Sequence, residues 1–397
     1  MEKVSDRLNK MSISATLAMA QKSRDLQAKG VDVINLSIGE PDFDTPMIVK
    51  EAGKKAIDEN FSHYPPVPGY DSLRKAIKDK FKRENNLDYG LDQIVVSTGA
   101  KHSIANVMMS IINPGDEVIV PAPYWVSYVD LIKLSEGTPV VIDCEIEQDF
   151  KITAEQLEKA ITPKTRAMIY SSPSNPTGSL YTKEELKKLA GVLAKYPNII
   201  IISDEIYEHI NFVGKHESIA QFENIKDRVV VVNGVSKAYA MTGWRIGYIG
   251  APVWIAKAVI KLQGQFTSGA CTIAQKASEA ALNLGFEESQ KMTAVFKQRR
   301  DMVYNLLKEI PGLKINLPPG AFYFFPDVSY FFGKSDGNTT INNSVDLALY
   351  LLDKAHVATV DGEAFGSPKC LRFSYATSEE QLTEAMKRIK IALAELK

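Results

Sequence analysis

The feature that most constrains the fold is an alternation of short β-branched runs with amphipathic helical segments through the middle of the chain. Parallel strands need a long crossover between them, usually a helix, so this alternation predicts an α/β sheet whose strands are mostly parallel. Two capping-box sequences mark helix starts, one pairing Thr153 with Gln156 and the other Thr182 with Glu185. The predicted strands are residues 94–96, 117–120, 140–142, 167–170, 199–202, 229–232 and 246–249.

The chain's 397 residues exceed the length that one hydrophobic core ordinarily serves, which predicts two domains. We expect a large domain over residues 48–290 that contains the mostly parallel, seven-stranded sheet. Residues 1–47 and 291–397 together are expected to form a smaller α+β domain. It would close on a C-terminal helix after Ser378, because apolar residues recur there with helical spacing.

Charge and cysteine content limit the classes of partner. Lys and Arg number 47 against 48 for Asp and Glu, so no overall positive field exists to hold a nucleic acid or an anionic membrane. The 3 cysteines are far apart and odd in number, which is typical of a reducing compartment. Without a secretory pattern or an apolar run of about 20 residues, we expect a cytoplasmic protein that binds small molecules. No metal site is expected, because the 5 histidines lack the spacing of metal ligands.

Polar residues directly after the predicted strands are the candidate ligand contacts, because ligands of open parallel sheets bind beyond the carboxyl ends of the strands. Gly99, Ala100 and Lys101 follow the first of these strands in a small-residue turn that opens a helix. Free backbone amides and the helix dipole at such a turn can hold a phosphate. The same turn also occurs as plain backbone geometry, so this signal alone leaves both interpretations open.

Three further strand ends carry residues that are unusual for a core. Trp125 could be a flat platform for a ring, although a tryptophan there is more often part of the core. Asn175 lies in a loop with two prolines and a glycine, which could be only a turn. Asp204 ends a run of isoleucines, where a buried acid implies a cationic partner; the alternative is a helix N-cap.

Two basic positions indicate chemistry at the same edge of the sheet. Lys237 follows the strand at residues 229–232, and an ammonium desolvated there loses its proton more readily, as an amine nucleophile requires. A lysine at such a place is otherwise a surface residue with only its stem buried. Arg372 lies in an apolar stretch, which is costly unless its guanidinium meets a carboxylate. Together these residues suit pyridoxal phosphate, a cofactor that needs a lysine, an acid at its ring nitrogen and anchors for its phosphate.

Longer motifs carry a family resemblance over nearly the whole chain. They read SIGEPDF at residues 37–43, SNPTG at 174–178, DEIY at 204–207, SK at 236–237, MTGWRIG at 241–247 and RFS at 372–374. In this order they resemble the class I aminotransferases, in the fold type I group of pyridoxal-phosphate enzymes. In detail the chain looks like the bacterial aspartate aminotransferases of the Thermus type, some of which also accept prephenate.

The resemblance implies a role for each of the catalytic residues. Lys237 would carry pyridoxal phosphate as a Schiff base and, once substrate displaces it, move the proton between the substrate's alpha carbon and the cofactor. Asp204 would pair with the pyridinium nitrogen. Tyr207 and Asn175 would hydrogen-bond the cofactor's phenolic oxygen, and Trp125 would stack on its ring.

The resemblance also implies how the phosphate is held and how the chain assembles. Arg245, Ser236 and the backbone amides of residues 99–101 would bind the phosphate. Tyr64 matches a family tyrosine that reaches the phosphate of the neighbouring subunit's cofactor. A homodimer with shared active sites is therefore expected.

For the substrate's alpha carboxylate, the resemblance implies a bidentate pair with Arg372, which a lysine could not reproduce. Asn175, Trp125 and the backbone of Gly39 would help to hold the same carboxylate. The expected reaction is transfer of an amino group from L-aspartate to 2-oxoglutarate in two half-reactions through pyridoxamine phosphate, with prephenate as another substrate.

The distal carboxylate of a dicarboxylic substrate needs a second polar cluster, and the resemblance assigns Lys101, Ser14 and Thr16 to it. Alternatively, Lys101 is a solvated lysine at a helix start that only attracts phosphate.

Other functions stay open at this stage. The substrate could be an aromatic or another amino acid, or the same fold and cofactor could serve a lyase. Domains of this fold also act as ligand sensors fused to a DNA-binding head, but no basic helix-turn-helix segment precedes Ser37. An assembly protein with a vestigial site is disfavoured because Lys237, Asp204, Arg245 and Arg372 are all present.

Overall fold

The computed structural model describes residues 4–13, 15–285 and 287–397, and strands alternate with helices along most of them. The strands, numbered along the chain, are β1 (Ile34–Asn35), β2 (Ile94–Ser97), β3 (Glu117–Ala122), β4 (Thr138–Asp143), β5 (Thr165–Ser171), β6 (Ile200–Asp204), β7 (Val229–Gly234), β8 (Gly247–Gly250), β9 (Tyr323–Phe324), β10 (Val357–Ala358), β11 (Val360–Asp361) and β12 (Leu371–Ser374).

Helices make up most of the remaining regular structure. The α-helices are α1 (Asp6–Asn9), α2 (Ala15–Ala28), α3 (Met47–Asp58), α4 (Asp71–Lys80), α5 (Ala100–Ile111), α6 (Ser127–Leu134), α7 (Ala154–Ala160), α8 (Lys183–Leu193), α9 (Val253–Phe266), α10 (Thr272–Leu284), α11 (Glu287–Lys308), α12 (Ser344–Lys354) and α13 (Glu379–Ala394). Short 3₁₀ helices span Leu91–Gln93, Ile146–Gln148, Ile219–Gln221, Lys226–Arg228, Thr242–Trp244, Ser329–Phe331 and Glu363–Phe365, and a π-helical turn spans Phe81–Asn85.

A seven-stranded sheet in the order β2-β8-β7-β6-β5-β3-β4 forms the centre of the chain. The pairs from β7 across to β4 are parallel, whereas β8 runs antiparallel to both β2 and β7. Every residue of β6 and β7 is buried, as expected for Val and Ile runs in strands that are covered on both faces. The predicted α/β class with a mostly parallel, seven-stranded sheet is therefore confirmed.

Each of the predicted strands lies in this sheet, with bounds that differ by a few residues. The most informative difference is at β6, which continues to Asp204. The next residues form turns, so Asp204 ends a strand and the helix N-cap alternative is wrong.

Both predicted capping boxes are present at the starts of α7 and α8. In α8, the Glu185 amide donates to Thr182 Oγ1 at 3.3 Å, and the Thr182 amide donates to Glu185 Oε2 at 2.7 Å. In α7, Thr153 and Gln156 exchange the equivalent bonds at 3.2 and 3.0 Å. Each box satisfies two amides that the first helical turn leaves without partners.

The two ends of the chain contribute the smaller sheets. β1 pairs with β10 in parallel, and β12 pairs antiparallel with β11 and β9. One hydrophobic cluster joins Leu36 near the N-terminus to Phe373 and Leu382 near the C-terminus, and it also includes Tyr207 from the segment after β6. The proposed domain bounds, 48–290 against the two terminal segments, stay a prediction.

The predicted C-terminal helix is α13, whose N-cap Ser378 accepts a hydrogen bond from the Gln381 amide at 3.3 Å. Among the residues that the structure describes, none of the helices combines the length and the apolar character that crossing a bilayer requires.

Candidate active site

A cavity of about 390 Å³ lies where residues from the carboxyl ends of several sheet strands meet residues of the two terminal segments. Its volume falls within the range that small-molecule and cofactor sites occupy. Most of the site residues predicted from the sequence line it: Thr16, Gly39, Ala100, Lys101, Trp125, Asn175, Asp204, Tyr207, Ser236, Lys237, Arg245 and Arg372.

Three predicted residues stand apart from that set. Gly99 directly precedes Ala100 and is the N-cap of α5, so its backbone belongs to the same turn. Tyr64 is 95% exposed and lines a separate hollow together with Cys271. Ser14 lies outside the described residues.

Lys237 lies in the turn after β7, half-buried beneath the N-terminal segment. Its ammonium donates to the backbone oxygen of Gly39 at 2.5 Å and lies 5.8 Å from the centre of the Tyr207 ring. Desolvation lowers the pKa of Lys237 to about 8; Arg372 and Arg245 act in the same direction, and Glu40 opposes them. An amine with this pKa is partly unprotonated near neutral pH, as a nucleophile or a proton carrier requires.

Asp204 is buried at the end of β6, where both of its carboxylate oxygens are hydrogen-bonded. The hydroxyl of Tyr128 donates to Oδ2 at 2.5 Å, and the amide of Ile206 donates to Oδ1 at 3.3 Å. Burial raises the pKa of Asp204 to about 6, although these two hydrogen bonds act in the opposite direction. The acid is therefore oriented, and it stays largely ionised at neutral pH.

Tyr207 lies in the turns that follow β6, with its ring against Phe322. Its hydroxyl shares a hydrogen bond with the hydroxyl of Tyr323 at 2.8 Å. Burial, followed by the neighbouring Tyr323, raises the pKa of Tyr207 well above its usual value. The phenol therefore stays protonated and remains a hydrogen-bond donor.

Arg372 lies in β12 and lines the cavity, and it is only 2% exposed. Its Nη1 donates to Asn175 Oδ1 at 2.9 Å, and its Nη2 donates to the backbone oxygen of Ser37 at 2.6 Å. The guanidinium also lies 4.6 Å from the centre of the Tyr323 ring.

Nothing in the described chain neutralises this guanidinium. Within residues 4–13, 15–285 and 287–397, no carboxylate comes within ion-pair distance of Arg372, and its buried Nε has no hydrogen-bond partner. A buried cation without a carboxylate is costly. Its position in a cavity wall therefore suits an anionic ligand that arrives from solution.

The turn between β2 and α5 meets Arg245 closely. Gly99 has φ +85°, and a Cβ there would lie 2.3 Å from Nη2 of Arg245. A Cβ on Gly247 would likewise lie 2.1 Å from the amide nitrogen of Ala100. Arg245 itself has φ +57°, a left-handed conformation that costs about 1–3 kcal/mol in a residue other than glycine. Small residues and a strained arginine thus build a basic cradle at a helix N-terminus.

Lys101, in the first turn of α5, places its ammonium 4.9 Å from the centre of the Trp125 ring. Desolvation and then Arg245 lower the pKa of Lys101. In the part of the chain that the structure describes, no acidic side chain forms an ion pair with Lys101. Since Thr16 lines the same cavity, Lys101 and Thr16 offer polar contacts for a ligand besides those of Arg372, and we call them the second polar end of the cavity.

Sequence reasoning missed several contributors to the site. Tyr128 lies one helical turn after Trp125, and that spacing from a strand-end aromatic could have indicated it. Tyr323, Phe322 and the backbone oxygen of Ser37 come from distant parts of the chain, and no local pattern marks them.

Two of the histidines lie closer together in the fold than their sequence spacing indicates, and the expectation of no metal site stays a prediction. His209 and His216 both lie near Glu208 in a buried cluster. With Glu84 and Glu205 they form two groups whose oxygen and nitrogen atoms are close enough for a metal ion. Folding brings these residues together across more than 120 positions of sequence, so spacing alone could not find them.

Comparison with known proteins shows the family to which the chain belongs. Residues 31–389 match the family described as aminotransferase class I and II. The chain belongs to this aminotransferase family.

Two curated relatives illustrate how similar this aminotransferase is to named members of the family. It is 48% identical over 396 residues to the aspartate/prephenate aminotransferase of Nitrosomonas europaea, covering 99% of this chain and 100% of the relative. It is 47% identical to the bifunctional aspartate aminotransferase and glutamate/aspartate-prephenate aminotransferase of Petunia hybrida, covering 99% of this chain and 83% of the relative.

Solved structures agree with this placement. The aspartate aminotransferase of Rhizobium meliloti superposes with a TM-score of 0.97 at 44% identity, and 100% of both chains is covered. The aspartate aminotransferase of Thermus thermophilus, determined with maleate, superposes with a TM-score of 0.92 at 39% identity, covering 99% of this chain and 100% of that one. The fold type I aminotransferase assignment is therefore confirmed.

Proposed function

We propose that this aminotransferase uses pyridoxal phosphate to transfer the amino group of L-aspartate to 2-oxoglutarate. One observation carries the proposal: a lysine of lowered pKa, a buried acid and a buried arginine that has no carboxylate partner among the described residues line the same cavity. These are parts that amino-group transfer on pyridoxal phosphate requires.

The residues present fit pyridoxal phosphate at three points. Asp204 is a buried acid suited to a protonated ring nitrogen, and Lys237 is an amine suited to an aldehyde. Arg245 and the turn at Gly99 form a basic cradle that suits a phosphate. When bound, the cofactor supplies an aldehyde that takes up amino groups and a ring that withdraws electrons from the substrate's alpha carbon.

The chain's own residues then divide the work. Asp204 would accept a hydrogen bond from the protonated ring nitrogen and keep that proton in place. Lys237, with a pKa of about 8, would carry a proton on Nζ between the substrate's alpha carbon and the cofactor. Tyr207 and Asn175 would donate hydrogen bonds to the cofactor's phenolic oxygen, and Trp125 would cover its ring.

Phosphate binding and substrate binding use separate residues. Arg245, Ser236 and the amides of residues 99–101 hold the phosphate. Arg372 holds the substrate's alpha carboxylate, next to Asn175 and the backbone of Gly39. The cofactor's phosphate and the substrate's alpha carboxylate thus have different arginines and do not compete for the same one.

Dicarboxylate specificity rests on the second polar end of the cavity, at Lys101 and Thr16. Ser14 would join them. Two observations from relatives support this assignment: they are named for aspartate and prephenate, and the Thermus thermophilus structure was determined with maleate, a dicarboxylate. Prephenate, itself a dicarboxylate, is the further substrate that we propose.

Substitution at the two ends of the cavity tests this specificity. In Lys101→Ala, kcat/KM for aspartate should fall while the rate with a monocarboxylic amino acid such as alanine stays the same. In Arg372→Ala, both rates should fall, because every amino acid carries the alpha carboxylate. An aspartate rate unaffected by Lys101→Ala would make the distal-carboxylate assignment wrong and favour an aromatic or another substrate.

The reaction type has its own test. A transaminase releases one glutamate from 2-oxoglutarate for each aspartate consumed, whereas a lyase on the same fold consumes no acceptor. We expect equal amounts of aspartate lost and glutamate formed. Loss of many equivalents of aspartate per enzyme in the absence of 2-oxoglutarate would identify a lyase.

We also propose a homodimer in which Tyr64 reaches the phosphate of the partner subunit. Its exposure is the supporting observation, because an aromatic side chain that is 95% exposed has no role in its own chain's core. Sedimentation of the active enzyme should give a dimer, and a fully active monomer would contradict the proposal. The three unpaired cysteines support a reducing, cytoplasmic setting.

A further inference from the structure

The segment that carries Asp204 and Tyr207 has a second face. These two side chains line the cavity, whereas Glu205 and Glu208, the residues that follow each of them, bond to buried groups elsewhere in the chain. The groups around the second face, all buried apart from Arg83 with its 42% exposed side chain, form what we call the Lys80 network. It comprises Lys80, Arg83, Glu84, Asn85, Glu205, Glu208, His209, His216 and Asn233.

Glu208 has the most donors. Lys80, at the end of α4 and fully buried, forms an ion pair with its carboxylate. The side-chain amide of Asn85 donates to Oε2 at 2.7 Å, and that of Asn233 on β7 donates to Oε1 at 2.8 Å. Although burial opposes it, Lys80 and the two nearby histidines hold the pKa of Glu208 far below its usual value.

Glu205 is held in the same way one residue after the strand. Its Oε2 bonds to Nε2 of His216 at 2.9 Å, and its Oε1 accepts from Ser218 at 2.6 Å and from Ser203 at 2.8 Å. The Glu205 amide donates to Val232 of β7 at 2.9 Å. The turn after β6 is therefore held by a backbone hydrogen bond to β7 and by the side-chain bonds of the Lys80 network.

The π-helical turn after α4 brings the remaining members into place. It positions Glu84, whose Oε1 and Oε2 meet Arg83 at 2.5 Å and His209 at 2.8 Å. π-Helical turns are rare and are often found near functional sites.

Each carboxylate of this network already has a basic partner, so none of them needs a metal ion to compensate it. Glu208 pairs with Lys80, Glu84 with Arg83, and Glu205 bonds to His216. Although burial opposes it, Glu205 raises the pKa of His216, which favours the protonated form of that histidine.

Such a network is a poor source of stability. Burying charges costs as much desolvation as their attraction returns, and apolar side chains of similar volume would serve a core as well. What hydrogen-bonded ion pairs supply instead is a fixed geometry, since each donor and acceptor tolerates little displacement. Here the group held in fixed geometry is the turn that presents two site residues.

We propose that the Lys80 network is a positioning device that fixes Asp204 and Tyr207 against the cofactor, a role that rests on the proposed function. The network reaches the site through the backbone of residues 204–209. Loss of the Lys80–Glu208 pair therefore displaces both residues together. A displacement of about 1 Å at a catalytic group costs on the order of 100-fold in rate.

The test compares the unmodified enzyme with two variants. Lys80→Met leaves the carboxylate of Glu208 without its cation, and the chain can then fail to fold. Lys80→Met combined with Glu208→Gln removes the pair as a neutral unit, keeps side-chain volume and leaves the other charges balanced. The double variant is therefore the one that decides the question.

Leu189→Ala is the matched control. Leu189 is buried in α8 within the large hydrophobic core and has no bond to the network. It destabilises the fold by opening a cavity, without touching residues 204–209.

The first readout needs no cofactor. In the cofactor-free double variant, amide hydrogen exchange at residues 204–209 should become faster, while the other strands of the sheet keep their protection. The increase in exchange rate should be at least as large as the increase that Leu189→Ala causes outside residues 204–209. The second readout uses the enzyme loaded with pyridoxal phosphate. There kcat should fall on the order of 100-fold with little change in KM for aspartate, and the pH midpoint of the visible absorbance band should shift.

The outcomes separate the two claims. Unchanged exchange at residues 204–209 together with an unchanged band midpoint in the double variant would overturn the positioning role and leave the network purely structural. A band midpoint that shifts equally in Leu189→Ala would overturn it too, because general destabilisation would then explain the effect. If the unmodified protein binds no pyridoxal phosphate, the proposed function fails, while the exchange measurement still tests whether the network holds the segment.

Discussion

Replacing Arg372 by Met separates activity from stability in one variant. The guanidinium is buried, donates to Asn175 and to the backbone of Ser37, and has no carboxylate partner among the described residues. Methionine keeps most of the side-chain volume and removes the charge. The expected result is a large loss of activity with little loss of stability.

The loss of activity follows from the bonds that a bidentate pair makes. Each hydrogen bond to a charged group contributes about 1.5–3 kcal/mol, so losing two of them removes about 3–6 kcal/mol. At about 1.4 kcal/mol for each factor of ten, kcat/KM for aspartate should fall on the order of 100-fold to 10,000-fold. Arg372→Lys retains one charged contact and should lose on the order of 10-fold to 100-fold.

Stability should change much less. The variant loses the bonds to Asn175 and Ser37, at about 1.5–3 kcal/mol each, but it also removes a buried charge whose desolvation costs several kcal/mol. The two contributions oppose each other, so the free energy of unfolding should change by no more than about 2 kcal/mol. Urea titration of the cofactor-free protein measures it.

Arg299→Met is the matched control. Arg299 is also a buried arginine, but it pairs with Asp42 at 2.7 Å and lies outside the cavity. This variant should lose stability, because Asp42 is left without its partner, and should keep kcat/KM within a few-fold. If Arg372→Met lowers kcat/KM by no more than Arg299→Met does, the assignment of Arg372 to the alpha carboxylate is wrong.

Three further predictions concern the acid and the phosphate cradle. Tyr128→Phe removes a hydrogen bond that lowers the pKa of Asp204, so the acid limb of the kcat/KM profile against pH should move to higher pH. Folding raises the pKa of Asp204 from 3.8 to about 6, so the contribution of this group to stability is full below pH 3.8 and is lost as the pH rises to 6. The loss is about 3 kcal/mol. Urea titrations of cofactor-free Asp204→Asn at several pH values should lack it. Gly99→Ala would place a Cβ 2.3 Å from Arg245 and should weaken binding of pyridoxal phosphate measured by equilibrium titration, whereas Gly115→Ala, with φ +91° but nothing within 4 Å, should not.

The sheet was predictable because its strands are marked by short, continuous runs of β-branched residues. Runs such as the isoleucines of β6 are buried on both faces, so they need no polar alternation, and the turns and caps between them are local. The direction of β8 was not predictable, because a short strand carries no mark of its orientation.

The site was predictable to the extent that its residues follow strands. Asp204 ends β6, Asn175 and Lys237 lie a few residues past β5 and β7, and sheet topology brings those ends together. The role of each site residue was predicted from the family resemblance, because position after a strand does not by itself indicate a chemical role.

Contacts between residues far apart in the chain could not be predicted from the sequence. The pairing of Tyr207 with Tyr323 spans 116 positions, and that of Lys80 with Glu208 spans 128. Both depend on how helices and terminal segments pack against the sheet, and no period or motif records that packing. Tyr128 was missed as well, although its spacing from Trp125 could have indicated it.

The most direct test of the central claim is an absorbance spectrum of the protein loaded with pyridoxal phosphate, recorded before and after L-aspartate and then after 2-oxoglutarate. Our account predicts that aspartate abolishes the visible band of the bound cofactor and that 2-oxoglutarate restores it, because each reagent completes one half of the transfer. A band that aspartate leaves unchanged would contradict the aspartate assignment, and the absence of any band in the loaded protein would contradict the use of Lys237 and Asp204 to hold this cofactor.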